Sequence, residues 1–311
     1  MFSHIHLIPT LWHFSRSVQP KNALSDLGRR IEYVLRLLPW LPWIHPLINI
    51  FNRPKFKFIL AAQPSVLNKT RYPYLNCHWG VLRRCTTIAH HYRWLLNNLH
   101  PEQIQAIYSP TGLTILDIQT PQRHYRVVLE YHHSCRKEGD LMLTILSSQA
   151  ERLATLSIAV SKEDTDHVLI IGGMQGGRDQ ADALKQMAKD CHGLRPMALL
   201  VNITQALAHS WKISSIRAVS DQCHVYQHWL YRSRQALQVK RSYNQLWKEL
   251  GGQPHQDWYL IPTALGIRNL QEVSSHKRAM YARRNQLLTD IQHDIDARFG
   301  TIAIYSDSTI S

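Results

Sequence analysis

The 311-residue chain lacks several patterns that would assign it to a common class of proteins. Its five cysteines form no Cys-x-x-Cys pair, and their odd number argues against a disulfide framework and favours a reducing compartment. The first residues, MFSHIHLIPTLWHFSRS, have no basic n-region, uninterrupted apolar core or small-residue cleavage site of a signal peptide. No apolar run reaches the roughly 18–20 residues of a membrane-spanning helix. We therefore expect a cytoplasmic protein.

Motifs for nucleic acids and metals are also missing. The sequence has no RNP motif, zinc-finger spacing or long basic arm, so binding of RNA or DNA stays a minor hypothesis. His78, His90 and His91 lack the His-x-x-x-His spacing and have no carboxylate nearby, and we predict no metal site.

Acidic residues are few compared with basic ones. There are 22 Asp and Glu against 36 Lys and Arg, which gives a formal net charge of +14 at pH 7. This excess favours anionic partners such as an anionic inner-membrane surface, a phosphorylated ligand or an acidic acyl carrier protein. The alternative is a basic protein without a polyanionic partner.

Residues 1–107 are predicted to form an N-terminal helical region, and residues 108–311 an α+β domain with a C-terminal helix. Leu24–Leu38 has helical spacing, with Ser25 as an N-cap and with prolines 39 and 42 ending the helix. Its predicted core-facing residues are Ile31, Val34, Leu35 and Leu38. Helical spacing returns between residues 71 and 107.

Trp40 and Trp43 follow this helix among several arginines and lysines. Aromatic and cationic side chains on a short amphipathic element are typical of a segment that lies in a membrane interface. The other interpretation is that both tryptophans pack on the core as part of a helical cap.

From about residue 112 the hydrophobic period changes from helical spacing to two. This period predicts five antiparallel strands, and Lys137–Asp140 and Lys162–Asp166 have the composition of hairpin turns. The five predicted strands are LTILDIQT, YRVVLEYHH, LMLTILSS, RLATLSIAVS and HVLIIGG. Helix, strand, helix and strand then alternate, and the last helix, His276–Phe299, is basic.

Two segments that carry glycine are candidate ligand sites. Gln175, Gly176, Gly177 and Arg178 end the fifth predicted strand, where backbone N–H groups are accessible to an anion. The alternative for these glycines is a bulge and a tight turn. Gly193 and Arg195 come before a helix with Pro196 near its first position, and the N-terminus of a helix attracts anions. Arg195 could instead pair with Asp190.

The polar stretch after the strand near Ile213–Val219 offers candidates for acid–base chemistry. His224 could act as a general base, Tyr226 could protonate a leaving thiolate, and Tyr243 on the next helix is a third candidate. Cys223 is a poor partner for His224, because neighbouring residues of a strand point to opposite faces. A polar strand end with satisfied hydrogen bonds is the alternative.

The order of elements from about residue 112 to 262 resembles the GNAT acetyltransferase fold. Members of that fold have an antiparallel meander whose fourth strand enters a phosphate-binding loop and helix, and then a strand that splays away. In this chain HVLIIGGMQGG is similar to the fourth strand, HGLRP to the pyrophosphate loop, and YNQLWKELGG to the Tyr…Gly segment near the thioester. The usual Gln/Arg-x-x-Gly-x-Gly/Ala run is interrupted, and an extra helix is predicted after the glycines.

A second resemblance covers nearly the whole chain. RYPYLNCHWGVLRRCTTIAHHY, IGGMQGGR, HGLRPMALL, IRAVSDQCHVYQH and SSHKRAMYARR resemble the VirK/YbjX family of bacterial proteins. This resemblance implies a context of virulence and antimicrobial-peptide resistance, in some members together with lipid A modification, and it implies no specific chemistry.

These observations lead to two main hypotheses. The first is an acyltransferase with a GNAT-like core, no tightly bound cofactor, and acyl-CoA or acyl carrier protein as the donor substrate. The second is a non-catalytic, membrane-peripheral adaptor or regulator at the cell envelope.

Overall fold

The computed structural model describes residues 7–16, 23–53, 56, 58–59, 66–177, 179–231 and 242–300. Within them the period-two stretch forms an antiparallel meander, as the sequence predicts. Its strands are β1 (Leu113–Gln119), β2 (His124–Glu130), β3 (Leu141–Leu146), β4 (Arg152–Glu163) and β5 (Asp166–Gly176).

Both predicted hairpin segments join consecutive antiparallel strands. Lys162–Asp166 does join β4 to β5, and Asp164 adopts the left-handed backbone (φ 50°) that short turns require. Lys137–Asp140 lies in the connection between β2 and β3, which includes a turn at 136–138. This connection is longer than a tight turn, with a 3₁₀ turn at His133–Cys135, and Glu138 and Asp140 at its end are buried.

Three further strands extend the sheet. They are β6 (Ser215–Val219), β7 (Gln253–His255) and β8 (Trp258–Ile261). The strand order is β1-β2-β3-β4-β5-β6-β8-β7. The β5–β6 pair is parallel and the other pairs are antiparallel, so the chain has a mixed α+β fold with a mostly antiparallel sheet.

Helices precede the meander and occupy the crossovers after it. The N-terminal ones are α1 (Ile8–Ser15), α2 (Ala23–Leu37), α3 (Leu41–Phe51), α4 (Val81–Asn98) and α5 (Pro101–Ile107). The later ones are α6 (Ala181–Asp190), α7 (Pro196–Ser210), α8 (Tyr243–Glu249) and α9 (Ser275–Phe299).

The N-terminal helices differ from the sequence prediction in two ways. Prolines 39 and 42 end α2, but a 3₁₀ turn and α3 follow at once, because proline is tolerated in the first turn of a helix. The prediction that Ile31 and Leu35 face the core is wrong, since their side chains are 44% and 58% exposed. Val34 is buried as predicted and Leu38 packs against the core, while Tyr33 and Leu37 are buried in addition.

The buried apolar residues form one continuous core. It extends from Leu11 in α1 through the sheet to Phe299 in α9, so helices from both ends of the chain share it. One helical stretch among the described residues, Asp26–Phe51, is 26 residues long and apolar enough to cross a membrane by length and composition. Within its most apolar 18-residue segment, 44% is buried inside the protein.

Candidate active site

The candidate site lies where β5 and β6 part. The two strands pair from Val168 with Ser215 to Ile171 with Ala218. Beyond that point β6 ends at Val219, whereas β5 continues to Gly176. The last residues of β5 therefore have a strand partner only in β4, and their other side faces loops and helix ends.

Tyr243, at the start of α8, spans this opening. Its hydroxyl donates a hydrogen bond to the carbonyl oxygen of Met174 (3.0 Å) and accepts one from the Met174 amide (3.1 Å). Asp221 holds the helix start in place, since its carboxylate accepts from the Tyr243 amide (2.7 Å) and from the Ser242 hydroxyl (2.7 Å). Burial raises the pKa of Tyr243, so its hydroxyl stays protonated.

Glu138 is the buried carboxylate of the site. Its side chain is supplied by the connection between β2 and β3 and lies against β5, with the residue only 1% exposed. Gln175 donates from Nε2 to Glu138 Oε2 (3.1 Å) and lies 3.5 Å from Cys135 Sγ. The sequence prediction did not include Glu138, because Lys137–Asp140 had the composition of an exposed turn.

Two of the glycines make room for this carboxylate. A Cβ at Gly173 would lie 2.5 Å from the Glu138 carboxyl carbon, and one at Gly172 would lie 2.0 Å from the Glu138 carbonyl oxygen. No side chain fits at either position without displacing Glu138. Gly172 and Gly173 therefore serve close packing.

His224 faces Glu138 from the loop after β6. It is 2% exposed, and its Nε2 lies 3.4 Å from Glu138 Oε1 without forming a hydrogen bond. Its Nδ1 accepts from the Tyr226 amide (3.4 Å). The imidazole also lies close to two tyrosine rings, with centroids 5.2 Å from Tyr226 and 5.1 Å from Tyr243.

Tyr226 is the third predicted catalytic residue, and it lies in the same cluster. Burial first, and then the charge of Glu138, raise its pKa, so its hydroxyl stays protonated. The structure thus brings His224, Tyr226 and Tyr243 together, as the sequence analysis expects of a site, and it adds Glu138 between them.

A cavity of about 210 Å³ opens beside Gln175. Its lining is mostly polar and consists of His132, Ser134, Cys135, Arg152, Thr155, Gln175, Gly176 and Gly177. Arg152 is held by a two-pronged contact with Glu130, one branch of which measures 2.8 Å, so its positive charge is compensated. The Gly177 amide donates to Leu153 (2.7 Å) and is not free for an anion. Arg178 lies outside the described residues.

The backbone amides of the predicted pyrophosphate loop, which were expected to bind an anion, instead end helix α6. Gly193 adopts a left-handed backbone (φ 76°) at the end of α6, and its amide donates to Ala188 (2.7 Å), while the Leu194 amide donates to Cys191 (3.0 Å). These contacts are those of a helix C-cap. The predicted pairing of Arg195 with Asp190 is not observed. Arg195 is 77% exposed on its side chain and lies 3.4 Å from Glu249.

Further cations gather at this loop from the C-terminal helix. Arg284 donates twice to the His192 carbonyl oxygen (2.9 and 3.2 Å). Burial, followed by the charges of Arg283 and Arg284, lowers the pKa of His192. The loop is near the site, because a Cβ at Gly176 would lie 3.4 Å from the Met197 methyl group in the first turn of α7. Sequence reasoning missed these arginines, since they lie about 90 residues further along the chain.

A second buried polar cluster surrounds Asp140. Its carboxylate accepts from Lys69 Nζ, from the Tyr74 hydroxyl and from the Tyr92 hydroxyl (2.9 Å). The ammonium group of Lys69 lowers the pKa of Asp140 against the effect of burial. His91 lies beside this cluster, and burial lowers its pKa to about 4.

The five cysteines are buried thiols, and the described histidines belong to no metal-binding cluster. All five cysteines are buried, and burial raises the pKa of Cys77 to about 11 and that of Cys135 above its usual value. Within the part of the chain that the structure describes, no group of three or more His, Cys, Asp or Glu side chains could hold a metal ion.

Comparison with known proteins places the chain among relatives whose activity is not described. A family model described as "Protein of unknown function (DUF535)" matches residues 22–297. The uncharacterized protein YbjX of Escherichia coli (strain K12) is 25% identical over 295 residues, which cover 93% of this chain and 85% of YbjX. An uncharacterized protein of Haemophilus influenzae is 28% identical over 172 residues, or 55% of this chain and 56% of that protein.

Proposed function

The chain belongs to the DUF535 family of proteins of unknown function, and we propose that it is an acyltransferase. It moves an acyl group from a thioester donor, acyl-CoA or acyl carrier protein, to an amine or hydroxyl acceptor. The observation that carries this proposal is the opening between β5 and β6. There the Tyr243 hydroxyl hydrogen-bonds the amide and carbonyl of Met174, and the buried side chains of Glu138 and His224 lie next to each other.

The order of the elements supports a GNAT-like arrangement of this core. A meander leads through β5 into a glycine-containing end, helices follow, and a parallel strand then leaves β5 at an opening. The helix with Tyr243 and the final strands complete the correspondence. The extra helix α6 and the absence of an intact phosphate-loop motif are departures, and for this reason our proposal uses side chains rather than loop amides to bind the phosphates.

The cationic loop would bind the phosphate groups of the donor. Arg195 is the N-cap residue of α7, where the helix dipole also favours negative charge, and Arg283 and Arg284 lie near His192 in the loop before it. The net charge of +14 attracts acyl carrier protein, which is acidic, as well as coenzyme A. The thioester would then reach Met174 at the opening, and its acyl carbon would lie near Gln175.

The transfer itself requires a base and an acid. The acceptor attacks the thioester carbonyl, a C–N or C–O bond forms, and the C–S bond breaks. Glu138, with His224 beside its carboxylate, takes the proton of the acceptor. Tyr226 donates a proton to the leaving thiolate. The Met174 amide is placed to stabilise the oxyanion once Tyr243 moves aside.

Donor binding is tested by thermal shift with coenzyme A, acyl-CoAs and acyl carrier protein. A donor at 100 times its dissociation constant should stabilise the protein by about 2.7 kcal/mol. Arg195→Ala should remove most of this shift at little cost in stability, because the Arg195–Glu249 pair is exposed. Arg93→Ala removes one exposed arginine on α4 and is the matched control. This variant should keep the full thermal shift with the donor. A donor that binds Arg195→Ala as well as the parent would contradict this site.

Turnover is tested separately with Glu138→Gln. This change keeps the shape of the side chain and removes the base, so we expect a loss of roughly 10²–10⁴-fold in turnover with donor binding retained. Glu151→Gln, an exposed carboxylate in the turn before β4, is the control. Equal turnover in Glu138→Gln and the parent would exclude Glu138 as the base.

A non-catalytic role at the inner face of the cell envelope is the second candidate function. The basic charge and the VirK/YbjX-like context of virulence and antimicrobial-peptide resistance favour it, together with a cytoplasmic or membrane-peripheral location. If no thioester donor shifts the unfolding midpoint, this adaptor role replaces the acyltransferase proposal.

A further inference from the structure

Helix α2 presents an apolar stripe to the outside of the protein. Leu27, Ile31 and Leu35 follow one another at intervals of four residues and are 55%, 44% and 58% exposed. This spacing places them on one face of the helix. The stripe continues toward Trp43 of α3, which is 37% exposed and lies against the half-buried Trp40 (ring centroids 5.7 Å apart).

The opposite face of the same segment is fixed in the core. Leu37, Ile44, Leu47 and Ile48 are fully buried, and Arg30 lies over the Trp12 ring of α1 at 4.1 Å. A segment held in this way cannot leave the protein to cross a bilayer without opening the core. It can lie flat on a surface, with only the stripe in contact.

The stripe fits an anionic lipid surface better than a protein. Its three aliphatic side chains and one tryptophan cover far less than the roughly 800 Å² per partner that a stable protein interface buries. A bilayer needs only shallow insertion of such a stripe, and tryptophan favours the headgroup level. The net charge of +14 supplies attraction to anionic headgroups.

We infer that the α2 stripe, Leu27, Ile31 and Leu35 with Trp43, docks the protein on anionic membrane surfaces. This inference does not depend on the acyltransferase proposal. It keeps Trp43 from the sequence-based membrane hypothesis and adds Leu27 together with Ile31 and Leu35, which sequence periodicity assigned to the core.

Co-sedimentation of the full chain with lipid vesicles tests this docking. The vesicles are phosphatidylcholine alone, and phosphatidylcholine with an equal part of phosphatidylglycerol. We expect binding to the phosphatidylglycerol vesicles, and a drop of roughly tenfold or more in the triple variant Leu27→Gln, Ile31→Gln, Leu35→Gln. The matched control is Leu82→Gln with Ile267→Gln, two apolar residues of similar exposure on other parts of the surface, 57% and 50%.

A second measurement does not depend on the folding of the triple variant. An environment-sensitive dye on Ile31→Cys should shift to the blue on phosphatidylglycerol vesicles, and the same dye on Ile267→Cys should not. The native cysteines are buried, so they react slowly with the label.

Four outcomes would overturn the inference. They are a parent protein that stays in solution, a triple variant that binds like the parent, an equal loss in the control pair, and a dye at residue 31 that stays in water. A change in oligomeric state of the triple variant by ultracentrifugation would assign the stripe to a second copy of the chain instead of lipid.

Discussion

Two buried carboxylates, Glu138 and Asp140, lie two residues apart in the same connection, and their surroundings differ. Asp140 has a cation and two tyrosine hydroxyls on its oxygens, and the residue is fully buried. Glu138 has one amide donor, from Gln175, and faces the His224 ring nitrogen at 3.4 Å without a hydrogen bond. A cavity lies on the far side of Gln175.

This difference separates a structural from a chemical use of a buried charge. A carboxylate with all its oxygens satisfied and a lysine beside it has no reason to accept a proton, and its contacts join α4 and the segment before it to the sheet. The carboxylate with spare acceptor capacity, next to a weakly held imidazole, is the one that we propose as the base. Burial is therefore the common feature of both, and the number of bound partners distinguishes them.

The largest effect is expected from breaking the saturated cluster. Asp140→Asn leaves Lys69 buried without a counter-charge, and we expect a loss of about 3–5 kcal/mol in the free energy of unfolding. Urea denaturation followed by circular dichroism measures this loss. Adding Lys69→Met to Asp140→Asn should restore much of it. Glu138→Gln, in the same connection, should cost far less, and similar costs for Asp140→Asn and Glu138→Gln would remove the distinction between the two carboxylates.

The second effect concerns His91, beside the Asp140 cluster. Its pKa is lowered from 6.5 to about 4 in the folded protein, mainly by burial. Between pH 6.5 and 4 the unfolded chain therefore takes up a proton that the folded chain excludes, and stability falls by up to about 3 kcal/mol as the pH decreases. Unfolding by urea across this range measures the slope, which should be shallower in His91→Gln. An unchanged slope, equal to that of the control His276→Gln on exposed α9, would contradict this assignment.

The smallest of the three effects on stability is expected at the opening between β5 and β6. Tyr243→Phe removes both hydrogen bonds to the Met174 backbone, and we expect a loss of about 1–2 kcal/mol. The donor should still shift the unfolding midpoint of this variant, because the ligand replaces the missing contacts. Tyr281→Phe on α9 is the control and should be neutral. A Tyr243→Phe protein that is as stable as the parent would mean that water fully replaces the hydroxyl.

The strands could be predicted from the sequence because their signal is local. The apolar runs of β1 to β5 reflect burial, which in β3 and β5 extends over most positions, and the structure confirms these five strands within a few residues of the predicted ends. The α2 stripe was predicted wrongly for a related reason. Periodicity shows that a helix has an apolar face, but it cannot tell which of two apolar faces the protein covers.

The candidate site could be predicted only in part. His224 and Gln175 were singled out because they lie near the ends of predicted strands, and Tyr243 because its segment resembles the Tyr…Gly motif of GNAT proteins. Glu138 was missed because a Lys-Glu-Gly-Asp stretch has the composition of an exposed turn, and its burial results from contacts with residues far along the chain. Arg284 was missed for the same reason, since nothing local in α9 indicates that it reaches the loop at His192.

The positions of the partners along the chain have a consequence for the order of folding during synthesis. The three side chains that bind the Asp140 carboxylate (Lys69, Tyr74 and Tyr92) all precede it, so this cluster can close as soon as β3 leaves the ribosome. The side-chain partners of Glu138 follow it: Gln175 arrives with β5, and His224 only after the whole meander and α7. A ribosome-bound chain that stops before β6 should therefore already hold Asp140 in place, while Glu138 still lacks His224.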